Sequence, residues 1–490
     1  MAVQNDTAQG RQGVLAPFDA RARASRAAAG VLAAMRGPES SRHSVQYCAQ
    51  SRGTSQHDGA GASGTLGPLD GQSRVKAAVA SGPDEPASFD PRPLKSGDLF
   101  LAIRINNLPH IEAVYGRNVA ALTLEEVSSV LRKTTNAQCR ISSGNVIEVA
   151  LPLSSRDRQR RAPAVIDDLC TKLMCQPVLA GAEKLHVSVS AGYAPVVQGD
   201  IASQVPHALA ECHRALHAAW SVPDINTAWG DAWATKYRQD MQAAGDLLHK
   251  MSRGEAVHFY QPVRHSNGDG QTLYYESLLR TTRADGVSSS CGSCIKAVER
   301  LGLAKVLDKY SVSAVLDQLE RHPAARLGVN ISAQSASFNL NGRDSSWTEL
   351  RERLAGNRTL GPRLTIEITE SWPPSSLKDL VEFTRTLRAL GCQIAVDDFG
   401  AGHNSLRQLL MLQPDIVKLD SFFIQMAERS PRARAMLHHA VGLACSVSPL
   451  VVIEGIESPS HKQIAEEEGL VWLQGYHLGE PGVTHSWAAD

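Results

Sequence analysis

The second half of the chain carries carboxylates, an asparagine, a lysine and a glutamine at or near the ends of apolar runs. Glu276 lies in TLYYESLL, Asn330 in RLGVNIS, and Glu367 in RLTIEIT with Glu370 just beyond it. Asp397 and Asp398 lie in QIAVDDF, Lys418 and Asp420 in DIVKLD, Glu454 and Glu457 in LVVIEGIES, and Gln474 in VWLQGYHL. Hard oxygen donors of this kind suit Mg2+ or Mn2+ rather than zinc. Gathered in one pocket, the carboxylates would repel each other strongly without cations. Two divalent ions ~3.5–4 Å apart would relieve that repulsion, activate a water and steady an in-line displacement at phosphorus. A lysine beside them could orient the water or stabilise charge, and a glutamate could accept its proton.

Taken singly, these residues say little. A carboxylate after a strand is usually a helix N-cap or a surface charge, and one of Asp397 and Asp398 could cap the next helix. A lone lysine is most often a solvated tip. The joint pattern carries the argument, because a polar, metal-capable residue recurs at the same end of one strand after another.

The elements that must position them are eight strand-like runs: AVHFYQPV, TLYYESLL, RLGVNIS, RLTIEIT, QIAVDDF, DIVKLD, LVVIEGI and VWLQGYHL. Helical stretches separate most of them, such as CIKAVERLGLAKVLDKYSVSAVLDQL and LKDLVEFTRTLRALG. Eight strands with intervening helices in about 250 residues is the arithmetic of a (β/α)8 barrel, whose strand C-termini converge on one mouth. Gly400 and Gly402 in DDFGAGHNSL predict a tight, mobile loop after the fifth strand.

The rest of the 490 residues divides in two. Residues 1–95 are rich in Ala, Gly, Ser, Gln and Arg and predict a disordered segment, with one amphipathic helix around FDARARASRAAAGVLAAM. Residues 96–225 alternate strands (DLFLAIRINNL, NVIEVALPL, KLHVSVSAGYAPV) with helices (VAALTLEEVSSVLRKT, APAVIDDLCTKLM, SQVPHALAECHRALHAAW), which predicts a second α/β unit. TAWGDAWATKYRQDMQAAGDLLHKM reads as a helix linking it to the unit over 236–490. The fold class is therefore α/β.

Composition excludes several functions. Lys+Arg and Asp+Glu are both 50, which argues against a polybasic surface for polymeric nucleic acid. Aromatics at 5% provide few stacking platforms for single strands. No apolar run is long enough for a membrane span. The start, MAVQNDTAQG, has no secretory pattern, and nine scattered cysteines fit a reducing cytoplasm. Cys291 and Cys294 form a lone CxxC, without the four ligands of a structural zinc site.

The third unit resembles the EAL family of cyclic di-GMP phosphodiesterases along essentially its full length. The signature Glu-Ala-Leu stands here as Glu276-Ser277-Leu278, followed by Leu279 and Arg280. FYQPV, VNISA, TIEITES, VDDFGAG, VKLD, EGIES and LQGYHLGEP match family blocks in order. The resemblance implies that Glu276, Asn330, Glu367 and Asp397 ligate a first metal, and that Asp397 and Asp398 hold a second. It implies that Lys418 and Glu454 position and deprotonate the attacking water, and that Glu370 anchors the loop after the fifth strand. Asp420, Glu457 and Gln474 would complete the mouth. Gln261, Ser277, Leu278 and Arg280 would meet the dinucleotide. The implied reaction is hydrolysis of one phosphodiester bond, giving linear pGpG, in a barrel whose first strand runs antiparallel. The family loop commonly reads DDFGTGYSSL. Here Ala401, His403 and Asn404 depart from it, in a segment that couples metal, substrate and dimerisation in the family.

The second unit is similar to a degenerate GGDEF domain. RINNLPHIEAVYGR matches its opening strand and helix, and VSVSAGYAPV and ALAECHRALHAA its later elements. The signature has become Ser142-Ser143-Gly144-Asn145-Val146, Arg104 stands at a metal-binding aspartate's place, and Lys133 and Asn136 occupy the product-inhibition motif. A cation there repels a metal, so the resemblance implies a non-catalytic unit. Such a unit could regulate the barrel, support a homodimer or, with the N-terminal segment, bind a protein partner. Two functions follow: an active phosphodiesterase, or a cyclic di-GMP receptor and scaffold that turns over weakly or not at all.

Overall fold

The computed structural model describes residues 94–142, 144–217, 230–268, 270–282, 288–337, 339–340, 344–345, 347–369, 376–401, 406–483 and 487. The expected N-terminal helix, Glu370 and residues 402–405 of the glycine loop lie outside them.

The described chain opens on β1 (Leu99–Ile105), α1 (Leu108–Tyr115) and α2 (Arg117–Thr135), then β2 (Gln138–Ile141), β3 (Val146–Leu151) and α3 (Ala162–Cys175). A short hairpin, β4 (Val178–Ala180) and β5 (Glu183–Leu185), precedes β6 (Val189–Pro195) and α4 (Ile201–His217). The run KLHVSVSAGYAPV, read as one strand, is thus two, β5 and β6. The four long strands form an antiparallel sheet in the order β2-β3-β1-β6. Strand β1 is buried on both faces. Leu99, Leu101, Ile103 and Ile105 enter the larger core, while Phe100 and Ala102 pack with Ala208, Leu209 and Cys212 of α4. That alternation is the period of two of a β-strand.

Helix α5 (Gly230–Arg253) leads into the second architecture. Its strands are β7 (Ala256–His265), β8 (Thr272–Thr282), the short β9 (Ser288–Ser290), β10 (Leu327–Ser332), a minor ribbon of β11 (Asn339–Leu340) and β12 (Asp344–Ser345), β13 (Leu364–Thr369), β14 (Gln393–Phe399), β15 (Ile416–Leu419), β16 (Leu450–Ile453) and β17 (Trp472–Gln474). Eight of these close a ring, β7-β8-β10-β13-β14-β15-β16-β17 and back to β7. All neighbours are parallel except β7, which is antiparallel to both β8 and β17. The ring is therefore an α/β barrel with one reversed strand, as the family resemblance implied. Among the described residues, no helix is long and apolar enough to cross a membrane.

Helices surround the ring, among them α6 (Gly292–Arg300) and α7 (Ala304–Arg321) after β9, α8 (Ala333–Ala336) after β10, α9 (Thr348–Gly356) ahead of β13, α10 (Leu377–Ala389) after β13, α11 (Leu406–Leu412) after β14, and α12 (Ser421–Ala427) after β15. The stretch read as one helix from Cys294 to Leu319 is in fact these two. Gly302, at φ +74°, turns the chain between them in a conformation that a side chain would disfavour.

Parity within the strands decides what enters the barrel. Val263, Tyr274, Ala395, Ile416 and Val452 form one apolar layer inside it. Their sequence neighbours Ile394, Val396, Val417, Val451 and Ile453 point outward to the helices. Two residues beyond Tyr274, Ala395, Ile416 and Val452 stand Glu276, Asp397, Lys418 and Glu454. The next layer of the barrel interior is thus made of charges, midway along β8 and at or just beyond the C-terminal ends of β14, β15 and β16.

Candidate active site

Lys418 sits at the centre of that layer with no accessible surface. Its Nζ lies 2.7 Å from Glu367, 2.7 Å from Glu454, 2.8 Å from Asp397 and 3.1 Å from Glu276. Burial alone would push the ammonium's pKa down, but Asp397, Glu276, Glu367 and Glu454 outweigh it and hold it well above the usual lysine range. One ammonium cannot balance four carboxylates. Burial, reinforced by neighbouring carboxylates, therefore raises Glu367 and Glu454 well above the ordinary carboxylate range, against the pull of Lys418.

Glu276 differs from these two. Burial pushes it up, but Lys418 and hydrogen bonds from two amides more than offset this and hold it low. Asn330 Nδ2 donates to Glu276 Oε1 (2.7 Å), and Gln474 Nε2 donates to Oε2 (2.6 Å). Gln474 Nε2 also reaches Gln261 Oε1 (3.3 Å), and Gln261 Nε2 donates to the Gly479 carbonyl (3.2 Å). Gln261 thus braces Glu276 from behind.

Register places the set. The β10–β13 ladder puts Asn330 opposite Glu367. Close packing then demands a glycine beside them. A Cβ at Gly328 would lie 2.2 Å from Glu367 Oε1 and 2.6 Å from the Tyr274 ring.

The adjacent aspartates need a further device. Successive strand residues face opposite sides. The β14–β15 pairing slips between Val396 and Phe399, and Asp398 adopts φ +51°. This irregularity lets both aspartates address the mouth. Asp397 beside it, and then burial, push Asp398 up to about 7.

Two sets of carboxylates emerge, each with oxygens mutually within 4.8 Å: Glu276, Glu367 and Asp397, and Asp397, Asp398 and Glu454. Asp397 is common to both. Asn330 Oδ1 and Glu367 Oε1 are buried and accept no hydrogen bond among the described residues. Buried acceptors are normally satisfied, so two orphans beside surplus negative charge are what a cation site requires. The donor set fits divalent ions with oxygen ligands.

A cavity of about 360 Å3 opens beside the cluster, and Ser277, Leu278, Arg280, Asn330, Asp397 and Asp398 contribute to its wall. Arg280 Nη1 donates to the Leu279 carbonyl (3.0 Å). Gln261 is not in this lining but lies beneath it. Asp420 caps α12, accepting the Phe422 amide (2.9 Å), while its charge is felt by Asp398. Glu457 is exposed in the loop after β16 and is not one of the carboxylates around Lys418. Cys291 Sγ donates to the Leu279 carbonyl (3.1 Å), an ordinary buried thiol.

Sequence reasoning missed Gly328 and Asp308. Asp308 is buried on α7, where burial pushes it up to about 6, and it lines the cavity while accepting from Ser332 N–H (3.1 Å) and Oγ (2.9 Å). A charge interrupting the buried stripe of α7, between Leu307 and Tyr310, was the available signal.

Comparison with known proteins agrees with this geometry. Residues 244–481 match the EAL domain family. The chain is 30% identical over 250 residues to the cyclic di-GMP phosphodiesterase RocR of Pseudomonas aeruginosa, covering 49% of this chain and 61% of that one. It is 24% identical over 389 residues to the bifunctional diguanylate cyclase/cyclic di-GMP phosphodiesterase MucR of the same organism, covering 78% of this chain and 55% of that one. The chain thus spans little more than half the length of these curated relatives. A solved structure of the MucR phosphodiesterase in complex with c-di-GMP is similar at 27% identity and a TM-score of 0.41, over 49% of this chain and 97% of that one. Family match, closed barrel and motif order coincide: residues 244–481 of this chain are an EAL domain.

Proposed function

We propose that the barrel hydrolyses cyclic di-GMP to linear pGpG in a reaction that needs two Mg2+ or Mn2+ ions. The observation that carries this is the pair of three-carboxylate sets sharing Asp397, with orphaned acceptors on Glu367 and Asn330 at the first of them. Glu276, Asn330, Glu367 and Asp397 would hold one ion, and Asp397 and Asp398 the other. Glu454, the third member of the second set, would share in holding that ion. Ions bound there would acidify a water and neutralise charge on the phosphoryl oxygens.

The chain's own groups do the rest. Glu454 is the most accessible of the lysine's four carboxylates, at 17% side-chain exposure. Its raised proton affinity suits a base that takes a proton from the attacking water. The water oxygen bonds to phosphorus, the bond from phosphorus to the ribose O3′ breaks, and O3′ leaves with a proton. Lys418 holds Glu454 and Asp397 in place and opposes the negative charge that builds up. Ser277, Leu278 and Arg280 line the space for the nucleotide, while Gln261 and Gln474 fix Glu276. Asp420, Glu457 and Glu370 belong to this reading as supports of the mouth.

Residues 96–225 are read with it as a degenerate, non-catalytic GGDEF-like unit. Arg104 at the end of β1 supports this, its guanidinium donating to Asn106 Oδ1 (3.3 Å). The likeness to MucR over 389 residues supports it too. A homodimer and a protein partner for this unit are part of the same reading. So is the cytoplasm, supported by eight free cysteines among the described residues.

The test is conversion of cyclic di-GMP by purified protein with Mg2+ and then Mn2+, with pGpG followed by chromatography. Product that disappears with a chelator is expected. Saturable binding without product would replace the enzyme by a receptor.

A further inference from the structure

The sheet unit and the linking helix α5 together grip one wall of the mouth cavity at three points. Asp167 on α3, itself buried, pairs with the ammonium groups of both Lys305 and Lys309 on α7. Asp240 on α5 takes the guanidinium of Arg300, the last residue of α6, in two bonds of 2.7 Å. Ser188, just ahead of β6, donates its hydroxyl to the Gly302 carbonyl (3.0 Å) in the elbow between α6 and α7. Every barrel-side partner lies between residues 300 and 309.

The far side of the same elbow lines the cavity, through Ile295, Lys296 and Glu299 of α6 and Leu307, Asp308 and Ser311 of α7. At 3.6 residues per turn, Lys305 and Lys309 share one side of α7, and Leu307, Asp308 and Ser311 another. Asp308 then holds Ser332 by its amide and hydroxyl, two residues beyond Asn330 on the same strand. A continuous apolar core, running from β1 and α3 through α5 to Leu303, Leu307 and Tyr310, surrounds these contacts. Contiguous packed contact of this kind is a physical route for coupling.

We propose that this junction sets the position of the α6–α7 wall and thereby the affinity of the mouth for its dinucleotide, with Asp167 and Asp308 as positioning residues. The proposal rests on the reading of the mouth as a cyclic di-GMP site. The metal ligands Glu276, Asn330, Glu367 and Asp397 come from strands, not from the elbow, so the junction acts on nucleotide more than on metal.

The test uses the full chain carrying Asp167→Asn, and separately Ser188→Ala, which removes one hydroxyl and leaves the buried charges paired. Hydrogen exchange by mass spectrometry reads the wall itself. Faster exchange is expected over 292–300 and 307–311 in both variants. In a Glu454→Gln background with Mn2+, cyclic di-GMP binding weakens about tenfold in Asp167→Asn, within the usual span of coupling between sites, while Mn2+ affinity changes less than about twofold. Exchange unchanged along the wall in folded variants, or altered only at 305–309, overturns the proposal. Should Asp167→Asn not fold, Ser188→Ala decides. Absence of pGpG from the wild type would strike the phosphodiesterase reading and leave the exchange result standing on its own.

Discussion

Two buried clusters of acids and lysines can be set side by side. At the junction, Asp167 is matched by Lys305 and Lys309, and Asp168 close by pairs with Arg160 (2.5 Å). At the mouth, one lysine faces four carboxylates, with Asp398 beside them. Carboxylates and cations nearly balance at the junction, whereas negative charge is in excess at the mouth, where acceptors are orphaned. Both clusters bear the desolvation cost of buried ions. Only the mouth leaves charge for something from outside to neutralise. Charge balance thus separates an ion cluster that holds a fold together from one arranged to bind.

The largest effect should come from the group assigned to move a proton. Glu454→Gln keeps the shape and removes the base, and loss of a general base slows turnover by about 10²–10⁴-fold. Cyclic di-GMP binding should persist. Product formation and binding, measured on the same sample, check this. Turnover near the wild-type rate would remove Glu454 from the chemistry.

The comparison itself can be attacked through the lysine at the mouth. Lys418→Met leaves the carboxylates without their internal cation. Breaking a buried ion cluster by removing one partner costs about 3–5 kcal/mol. The loss should be full in chelator and largely recovered with Mn2+, because an external cation can take over part of the lysine's work. Asp167→Asn should cost a similar amount with or without Mn2+, because no outside ion serves the junction. Thermal unfolding of both variants in the two conditions reads the contrast. Equal metal rescue of the two would erase it.

A pH series sharpens the same point. Asp398 is pushed up to about 7, against about 3.8 for an unperturbed aspartate, and Glu367 and Glu454 are raised as well. A carboxylate raised in the folded state gives stability that is present below its unfolded pKa. That stability is lost as pH rises through the folded value. Metal-free protein should therefore lose stability from Asp398 between about pH 4 and 7, and from Glu367 and Glu454 as pH rises above the ordinary carboxylate range, the reverse of an ordinary salt-bridged acid. Mn2+ should flatten or invert the slope. Melting temperature against pH, with chelator and with Mn2+, would show it.

How much of this could be read without coordinates follows from the same geometry. Glu276, Asp397, Lys418 and Glu454 were legible because strand parity is local. Each stands two residues beyond a barrel-interior residue of its own strand, and the apolar runs showed their phase. The reversed first strand came with the family resemblance, not from the pattern of residues. Asp398 was legible only as a neighbour of Asp397, since its aim depends on a slip in pairing that alternation does not encode. Gly328 owes its importance to Glu367 and Tyr274, which meet it only across the barrel. The junction was invisible, because Asp167 finds its lysines 138 and 142 residues away. The break at Gly302 was missed because helical spacing resumes in phase on both sides of it.

The smallest predicted effect concerns Asp420, which has two jobs that one pair of substitutions can separate. Its carboxylate accepts the Phe422 amide at the start of α12, and its charge raises the proton affinity of Asp398. Asparagine is a good N-cap and alanine is not, and losing a cap costs about 1 kcal/mol. Stability should therefore follow the hydrogen bond, with Asp420→Ala destabilised by about 1 kcal/mol and Asp420→Asn close to the wild type. Anything that depends on charge should change equally in both, because both remove it. Asp398 would then ionise more readily, and the acid limb of the pH profile of turnover should move to lower pH by the same amount in each. Urea unfolding gives the first comparison and initial rates against pH the second. If Asp420→Asn kept the wild-type profile while Asp420→Ala did not, the cap alone would account for Asp420, and the mouth would end at Asp398.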